Sequence, residues 1–538
     1  MPSAPTATVF NYSISPARPN PDAHLPAAIR RIAIVGGGSA GWMCAMTLAA
    51  SVGRDVEIEV LESPAVGIIG VGEGSTPWLR GFFDNLGIEE AEWMPACHAT
   101  YKCGISFDNW STKPGFESYF HPFASMLDNM TMTQFVHNVK ARLNGLDVHA
   151  HPNRFFIASR LTDLGFAPKQ QRSFPFDVWY GYHFDAVLLG QFLQKKAIER
   201  GVKHRSCHVK DVQLDERGDI ASLLIDGGET LAADFFIDCS GFAALLIEKA
   251  LKTPYVCYKE NLFNDAAVAM PSPIGAEIPP QTRSIAMRHG WAWKIPLVGR
   301  YGNGYVYSSD FCSADEAERE LRERLGLLDA DVEARHLKMR CGRVTRHWNR
   351  NCLAVGLSQG FIEPLEATAL MFVQRTISTF VAYFEAGDIG ERAQNAFNEW
   401  VNGMFEGTRD YIVTHYKTNS RSDTEYWRAN ANNPHLSDPL QHLLATWMSR
   451  KSIVEDVSQG RFGKGYPVFS WLCLLSGMGI FPDAETLREP TTREAPYKME
   501  QIDNLLERAT LNFRKHREVL GDIPPKAKEE GLQLYFWG

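Results

Sequence analysis

The sequence predicts a mixed α/β fold: a dinucleotide-binding α/β body with a mainly helical C-terminal cap. Three observations carry this. An apolar strand runs into a glycine turn and a helix over residues 32–50. A second strand follows and closes on an acid, Glu62. After about residue 390, apolar residues recur at helical spacing.

The composition agrees with a large globular protein. The chain has 538 residues, 45% apolar and 22% charged. Disorder, fibre and collagen are excluded for the bulk of it. A net charge of −8 leaves no basic footprint for nucleic acid. No apolar run reaches the roughly 20 residues that span a bilayer. The ten scattered cysteines contain no CxxC pair, which argues against zinc and thioredoxin-type chemistry. Reduced thiols in a bacterial cytoplasm are expected.

The elements follow in order. Residues 1–30 are rich in Pro, Ala, Ser and Asn and read as a flexible tail. Ile32-Ala33-Ile34-Val35 is a continuous apolar run, as a strand buried on both faces requires. Trp42 to Ala50 is helical, and Val56 to Leu61 alternates as a second strand. Ala186 to Glu199 is a helix that ends before Gly201. Asp234 to Asp238 and Leu353 to Gly356 are further short strands, and a long helix is expected from Pro364. Ala393, Phe397, Trp400, Val401, Met404, Phe405 and Ile412 mark a cap helix, and Met499 to Phe513 another. The chain thus divides into a tail (1–30), a body (31–390) and a cap (391–538).

Gly36, Gly38 and Gly41 form GxGxxG between strand and helix. The first glycine permits the turn, the second lets a pyrophosphate approach, and the third lets helix and strand pack. The amides of Ser39 and Ala40 then open a helix whose positive dipole end favours phosphate. Glu62, 26 residues after Gly36, is placed for a ribose hydroxyl. The competing reading is a plain glycine turn. Asp234 to Gly241 resembles the second flavin-contact strand of large two-domain flavoproteins, and the Gly356 segment resembles their late strand. A second fingerprint is missing: Gly299–Gly304 and Gly460–Gly465 lack a strand before and a helix after. Reduced flavin is therefore expected from a separate NAD(P)H-dependent reductase.

Four segments together carry a closer resemblance. They are Ile34 to Trp42, Gly70-Val71-Gly72-Glu73, Gly290-Trp291-Ala292-Trp293-Lys294-Ile295-Pro296, and Glu363-Pro364-Leu365-Glu366-Ala367-Thr368. In this order they resemble the flavin-dependent tryptophan halogenases, from Ile32 to about Phe481. The resemblance implies an FAD-binding Rossmann-like body of flavin monooxygenase type. It implies that reduced FAD, O₂ and a halide, chloride or bromide, give hypohalous acid. That acid reaches a lysine through an internal tunnel and halogenates an electron-rich aromatic. Gly72 and Glu73 fall in the implied flavin loop.

The lysine falls on Lys102, in Tyr101-Lys102-Cys103-Gly104-Ile105-Ser106-Phe107. Read as one strand, Lys102, Gly104 and Ser106 share a face, and the small neighbours leave room beside the ammonium. An ammonium can donate a hydrogen bond to hypohalous acid, and a free amine can form a haloamine. By position alone, a surface lysine is the simpler reading. Glu366 is the implied catalytic carboxylate. With Pro364 at the first helical position, the Thr368 and Ala369 amides would face a halide. The plain alternative is that Glu363 and Glu366 favour a helix start. The family has Ser-Thr-Gly where this chain has Ala367-Thr368-Ala369, so Ala369 is expected to alter halide choice. Trp291 and Trp293 are implied to line the space between flavin and substrate, and His121 and Phe123 to stack on it. His149 and His151 lack a third ligand nearby, and no metal is expected.

The Tyr-Tyr-Glu lid that grips free tryptophan in the family has no counterpart in Val454 to Tyr466. A more open site for indole-like aromatics is expected, with a homodimer as the candidate assembly. Three other readings stand beside it: a tryptophan halogenase proper, an FAD-dependent aromatic monooxygenase, and a non-catalytic FAD-fold binding protein.

Overall fold

In the computed structural model, residues 29–521 are described, except 54, 68–71, 173–176, 461–464 and 496. The expected N-terminal tail lies outside the described residues up to residue 28. So do Gly70 and Val71 of the flavin loop, the middle of the Gly460–Gly465 run and the aromatic C-terminal end.

A six-stranded sheet forms the base. Its order is Trp348–Asn349, Cys352–Ala354, Phe235–Asp238, Arg31–Val35, Glu57–Glu62, Lys203–Ser206. All neighbours are parallel except the first pair. The run Ile32–Val35 is central and buried, which is why it shows no polar alternation. Helix Ser39–Ser51 packs on helices Ala186–Glu199 and Ala369–Glu385. Asp185 caps the Ala186 helix by accepting from the amides of Val187 and Leu188, 3.0 and 3.2 Å away.

A seven-stranded sheet carries the substrate-side motifs. Its order is Arg335–Lys338, Ala266–Pro273, Arg300–Tyr307, Gly290–Pro296, Thr282–Ala286, Gly104–Asp108, Ser118–Pro122. A small third sheet sets Glu73–Gly74 and Thr100–Lys102 on the two sides of Gly181–Phe184. It joins the expected flavin loop to the expected catalytic lysine.

The C-terminal part is mainly helical. Helix Glu391–Lys417 buries Phe397, Val401, Met404, Phe405 and Tyr411, and helix Val468–Gly477 is buried almost throughout. One apolar cluster runs from Ile29 to Val519, so these helices share the core of the body. No helix among the described residues is long and apolar enough to cross a membrane.

Two local expectations need correction. Lys102 and Ser106 are not in one strand: the chain breaks at Cys103, and the two halves pair in different sheets. Nor does a helix begin at Pro364. Pro364–Glu366 is a single 3-10 turn, Ala367 takes a left-handed φ of 55°, and the α-helix starts at Ala369. The left-handed residue turns the chain, so Glu366 lies before the helix rather than in its first turn.

Candidate active site

The glycine turn has the geometry its three positions demand. Gly36 has a φ of 120°, and a Cβ there would overlap the Cys239 carbonyl. A Cβ on Gly41 would overlap the carbonyl of Gly36, so this glycine lets the helix pack on the turn. A Cβ on Gly38 would meet nothing within 4 Å. That open face suits a pyrophosphate, and no side chain caps the helix at Gly38. Gly356, with a φ of 74°, lies opposite Ala40, and a Cβ would come within 2.8 Å of it. The ladder carries these turns together: the amides of Gly36, Cys239 and Val355 donate to the carbonyls of Leu61, Val35 and Asp238 at 2.8–2.9 Å. The cradle thus forms at the carboxyl ends of the parallel strands, where such folds bind dinucleotides. Glu62 lies against Gly37, with one oxygen 2.9 Å from His204 and 3.2 Å from Gln194. The residues present fit an FAD.

Gly72 follows with a φ of 77° and packs on Leu297. Burial, with Asp185 nearby, pushes the Glu73 carboxyl up to about 7. The next residue, Gly74, meets the lysine: a Cβ there would lie 3.1 Å from Lys102 Nζ. Gly74, not Gly104, makes room for the ammonium. The space beside Gly104 is filled by the His121 carbonyl and the Phe120 ring.

Lys102 is 0% exposed. Among the described residues its Nζ has no hydrogen-bond partner, and it lies 5.5 Å over the Phe123 ring. Burial draws its pKa down to about 7, against a smaller upward pull from Glu366. Its neighbour His183 is itself committed, to Thr100 at 3.1 Å and Thr282 at 2.9 Å. A surface lysine is therefore ruled out.

Glu366 is buried at 4% exposure and belongs to a second cluster. Its Oε2 is 3.0 Å from His121 Nδ1, and His121 Nε2 is 2.9 Å from Ser470 Oγ. Its Oε1 is 3.4 Å from His415 Nε2. Burial opposes ionisation, but the two histidines outweigh it and hold the carboxyl down to about 2. Since an ionised carboxylate only accepts, His121 donates through Nδ1. Glu363, three residues away, faces elsewhere. Its Oε2 accepts from Asn264 at 2.8 Å, Trp291 Nε1 at 2.9 Å and Tyr416 at 2.7 Å. Burial raises its pKa.

A cavity of about 330 Å³ opens beside this cluster. His121, Phe123, Glu366 and Thr368 line it, as expected for substrate and halide residues. Trp291, Trp293 and Ala369 are not among its lining residues. The two indoles sit 6.2 Å apart on their strand, with Trp293 lying across Gly304, where any Cβ would overlap it. Sequence reasoning missed Trp78, Trp179, Arg375, Tyr466 and Phe469, which also line the cavity. Thr368, Met371 and Arg375 share one helical face, a spacing that could have been read. Trp471, the residue expected in the pocket from this region, packs instead on Tyr411 at 4.9 Å. It lies two positions from Phe469, hence on the other side of the helix.

A family model described as tryptophan halogenase matches residues 31–492. The chain belongs to the tryptophan halogenase family. Among its relatives, a tryptophan 6-halogenase (SttH) from Streptomyces toxytricini is 37% identical over 503 residues, covering 87% of this chain and 93% of that protein. A tryptophan 7-halogenase (RebH) from Lentzea aerocolonigenes is 34% identical, over 89% and 94%. A solved flavin-dependent halogenase from Xanthomonas campestris superposes with a TM-score of 0.80 at 30% identity, over 94% of this chain and 99% of that one. The mixed α/β fold matches that of solved flavin-dependent halogenases with a Rossmann-like body, and the WxWxIP segment of this chain lies on strand Gly290–Pro296 of the seven-stranded sheet.

Proposed function

We propose that this chain is an FADH₂-dependent halogenase acting on indole-like aromatics, with Lys102 and Glu366 as its catalytic pair. Bound reduced FAD, with O₂, supplies the two-electron oxidation that turns halide into hypohalous acid. Gly36, Gly38, Ser39, Ala40, Gly41, Glu62, Gly72, Glu73 and Gly356 would hold the flavin. The observation that carries the reading is Lys102. A buried amine without a hydrogen-bond partner among the described residues lies against Gly74, the residue after the implied flavin loop, and over Phe123 of the pocket wall. Such a group is costly to bury, and a hypohalous acid would supply the partner it lacks.

Lys102 then holds the hypohalous acid, and its halogen bonds to the nucleophilic ring carbon. The oxygen leaves as water after taking a proton. Glu366, kept ionised by His121 and His415, accepts the proton from the ring carbon. Thr368 and Ala369 serve the halide, and Trp291 and Trp293 shield its path. Helices Glu391–Lys417 and Val468–Gly477 supply His415, Phe469 and Ser470, which supports reading 391–538 as a substrate cap. A separate NAD(P)H-dependent reductase supplies FADH₂. A cytoplasmic location and a homodimer belong to the same reading.

The named relatives act on tryptophan, and tryptophan is the second reading. The test supplies enzyme, reductase-fed FADH₂, O₂ and either halide to indole, tryptophan, a phenol and a pyrrole. Mass spectrometry should show a halogen isotope pattern that disappears in Lys102→Ala. Unmodified aromatics with both halides, or a hydroxylated product that survives Lys102→Ala, would overturn the reading.

A further inference from the structure

We propose that Ser470, His121 and Glu366 act as nucleophile, base and orienting acid, so that the same pocket also cleaves small aryl esters. This activity is additional to halogenation and does not depend on it. The three residues come from three elements: helix Val468–Gly477, strand Ser118–Pro122 and the turn Pro364–Glu366. Ser470 Oγ is 2.9 Å from His121 Nε2, and His121 Nδ1 is 3.0 Å from Glu366 Oε2. They stand within hydrogen-bond reach in the order that acyl transfer needs. All three line the cavity.

The polarity of the chain also fits. An ionised Glu366 only accepts, so it fixes the proton of neutral His121 on Nδ1. Nε2 then carries a lone pair, and Ser470 donates to it. A hydroxyl in a helix often bonds back to the carbonyl four residues earlier, as Ser476 does to Leu472 at 2.6 Å. Ser470 does not: among the described residues, its hydroxyl has His121 as partner. Its backbone is pinned, with the carbonyl accepting from Tyr411 at 3.1 Å and the amide donating to the Pro467 carbonyl at 3.0 Å. Ser470 is the third residue of its helix, so the positive end of the dipole lies beside the oxyanion that would form. Trp78, Phe123, Trp179 and Phe469 give the cavity aromatic walls, which suit the ring of an aryl ester.

The step balances without an oxidant. Ser470 Oγ bonds to the ester carbonyl carbon as its proton passes to His121 Nε2. The bond from that carbon to the aryl oxygen breaks, and the aryloxide takes the proton and leaves as a phenol. Water then adds to the acyl group and gives a proton to His121. That proton returns to Ser470 as the carboxylic acid leaves, so one ester and one water yield one phenol and one acid.

The test treats the full-length protein with 4-nitrophenyl acetate, follows release of the phenol and maps the acetyl group by peptide mass spectrometry. Wild type should release a burst of the phenol and carry acetyl on Ser470. Ser470→Ala should lose both. His121→Gln keeps the serine but not the base, and should acylate at least about 100-fold more slowly. Circular dichroism checks that both variants fold, and the wild-type peptide map decides even where one does not. No acetyl on Ser470 in wild type, acetyl on Lys102 in its place, or His121→Gln acylating at the wild-type rate would overturn the proposal and leave the three residues a purely structural hydrogen-bond chain. Halogenation of the aromatic panel is read separately. Acetyl on Ser470 without halogenation would leave the proposal standing and sink the halogenase reading. Halogenation without acetyl on Ser470 would do the reverse.

Discussion

Lys102→Met should abolish halogenation and also stabilise the protein. Folding moves this amine from an ordinary pKa of 10.5 to about 7, chiefly by burial. Each factor of ten in proton affinity is worth about 1.36 kcal/mol, so burying the ammonium costs on the order of 4 kcal/mol at pH 7. The sign follows from proton counting. Between about pH 7 and 10.5 the unfolded chain holds a proton on Lys102 that the folded chain does not. The wild type therefore gains stability as pH rises through this window, and the full cost is present below it. Methionine fills similar volume without a charge and escapes the cost. Urea unfolding of both proteins at pH 7 and pH 9 checks this. The variant should be more stable by about 4 kcal/mol at pH 7 and by about 2 at pH 9, because other groups titrate alike in both. A variant no more stable than wild type at pH 7, or a gap that does not narrow with pH, would refute the argument that Lys102 is buried against its own charge.

Three further outcomes follow from the site. His121→Gln removes an imidazole that, with His415, holds the Glu366 carboxyl near 2, so that pKa should rise into or above the ordinary carboxylate range. Glu366 must be ionised to take a proton, so single-turnover halogenation at pH 5.5 should fall relative to pH 7.5 in the variant; an unchanged ratio would count against Glu366 as the base. In the glycine turn, Gly38→Val should fold normally but bind FAD at least about 10-fold more weakly, since its Cβ meets only the space meant for phosphate. Gly36→Ala should lower folding stability by about 2 kcal/mol or more, because its Cβ meets the Cys239 carbonyl at a left-handed φ. Thermal melts and flavin fluorescence separate the two effects.

Much of the flavin half was legible because it is local. A strand, three glycines and a helix lie within twenty residues, and backbone sterics alone dictate which glycine does what. Helix Ala186–Glu199, ending before Gly201, and the helical C-terminal part with its apolar periodicity were legible too. The 3-10 turn at Pro364–Glu366 was not, because a left-handed alanine at 367 leaves no mark in composition. Proline at a helix start is the commoner outcome, and tertiary packing overrode it.

The catalytic half divides differently. The residue types, Lys102, Glu366 and the WxWxIP segment, were present in the sequence as motifs. Their chemistry was not, since an amine near pKa 7 and a carboxyl near 2 are products of burial and neighbours. Glu363 and Glu366 look alike in sequence, yet Glu363 holds Trp291 and Glu366 meets two histidines. Lys102 owes its space to Gly74 rather than to Gly104, because sheet pairing brings residue 74 beside residue 102. Sequence alone determined which backbone could cradle a dinucleotide, for that depends on Cβ atoms and φ within one turn. Only the tertiary structure decided which acid is ionised, which lysine is stripped of partners and which aromatics line the pocket, because those depend on groups hundreds of residues apart sharing one dry interior.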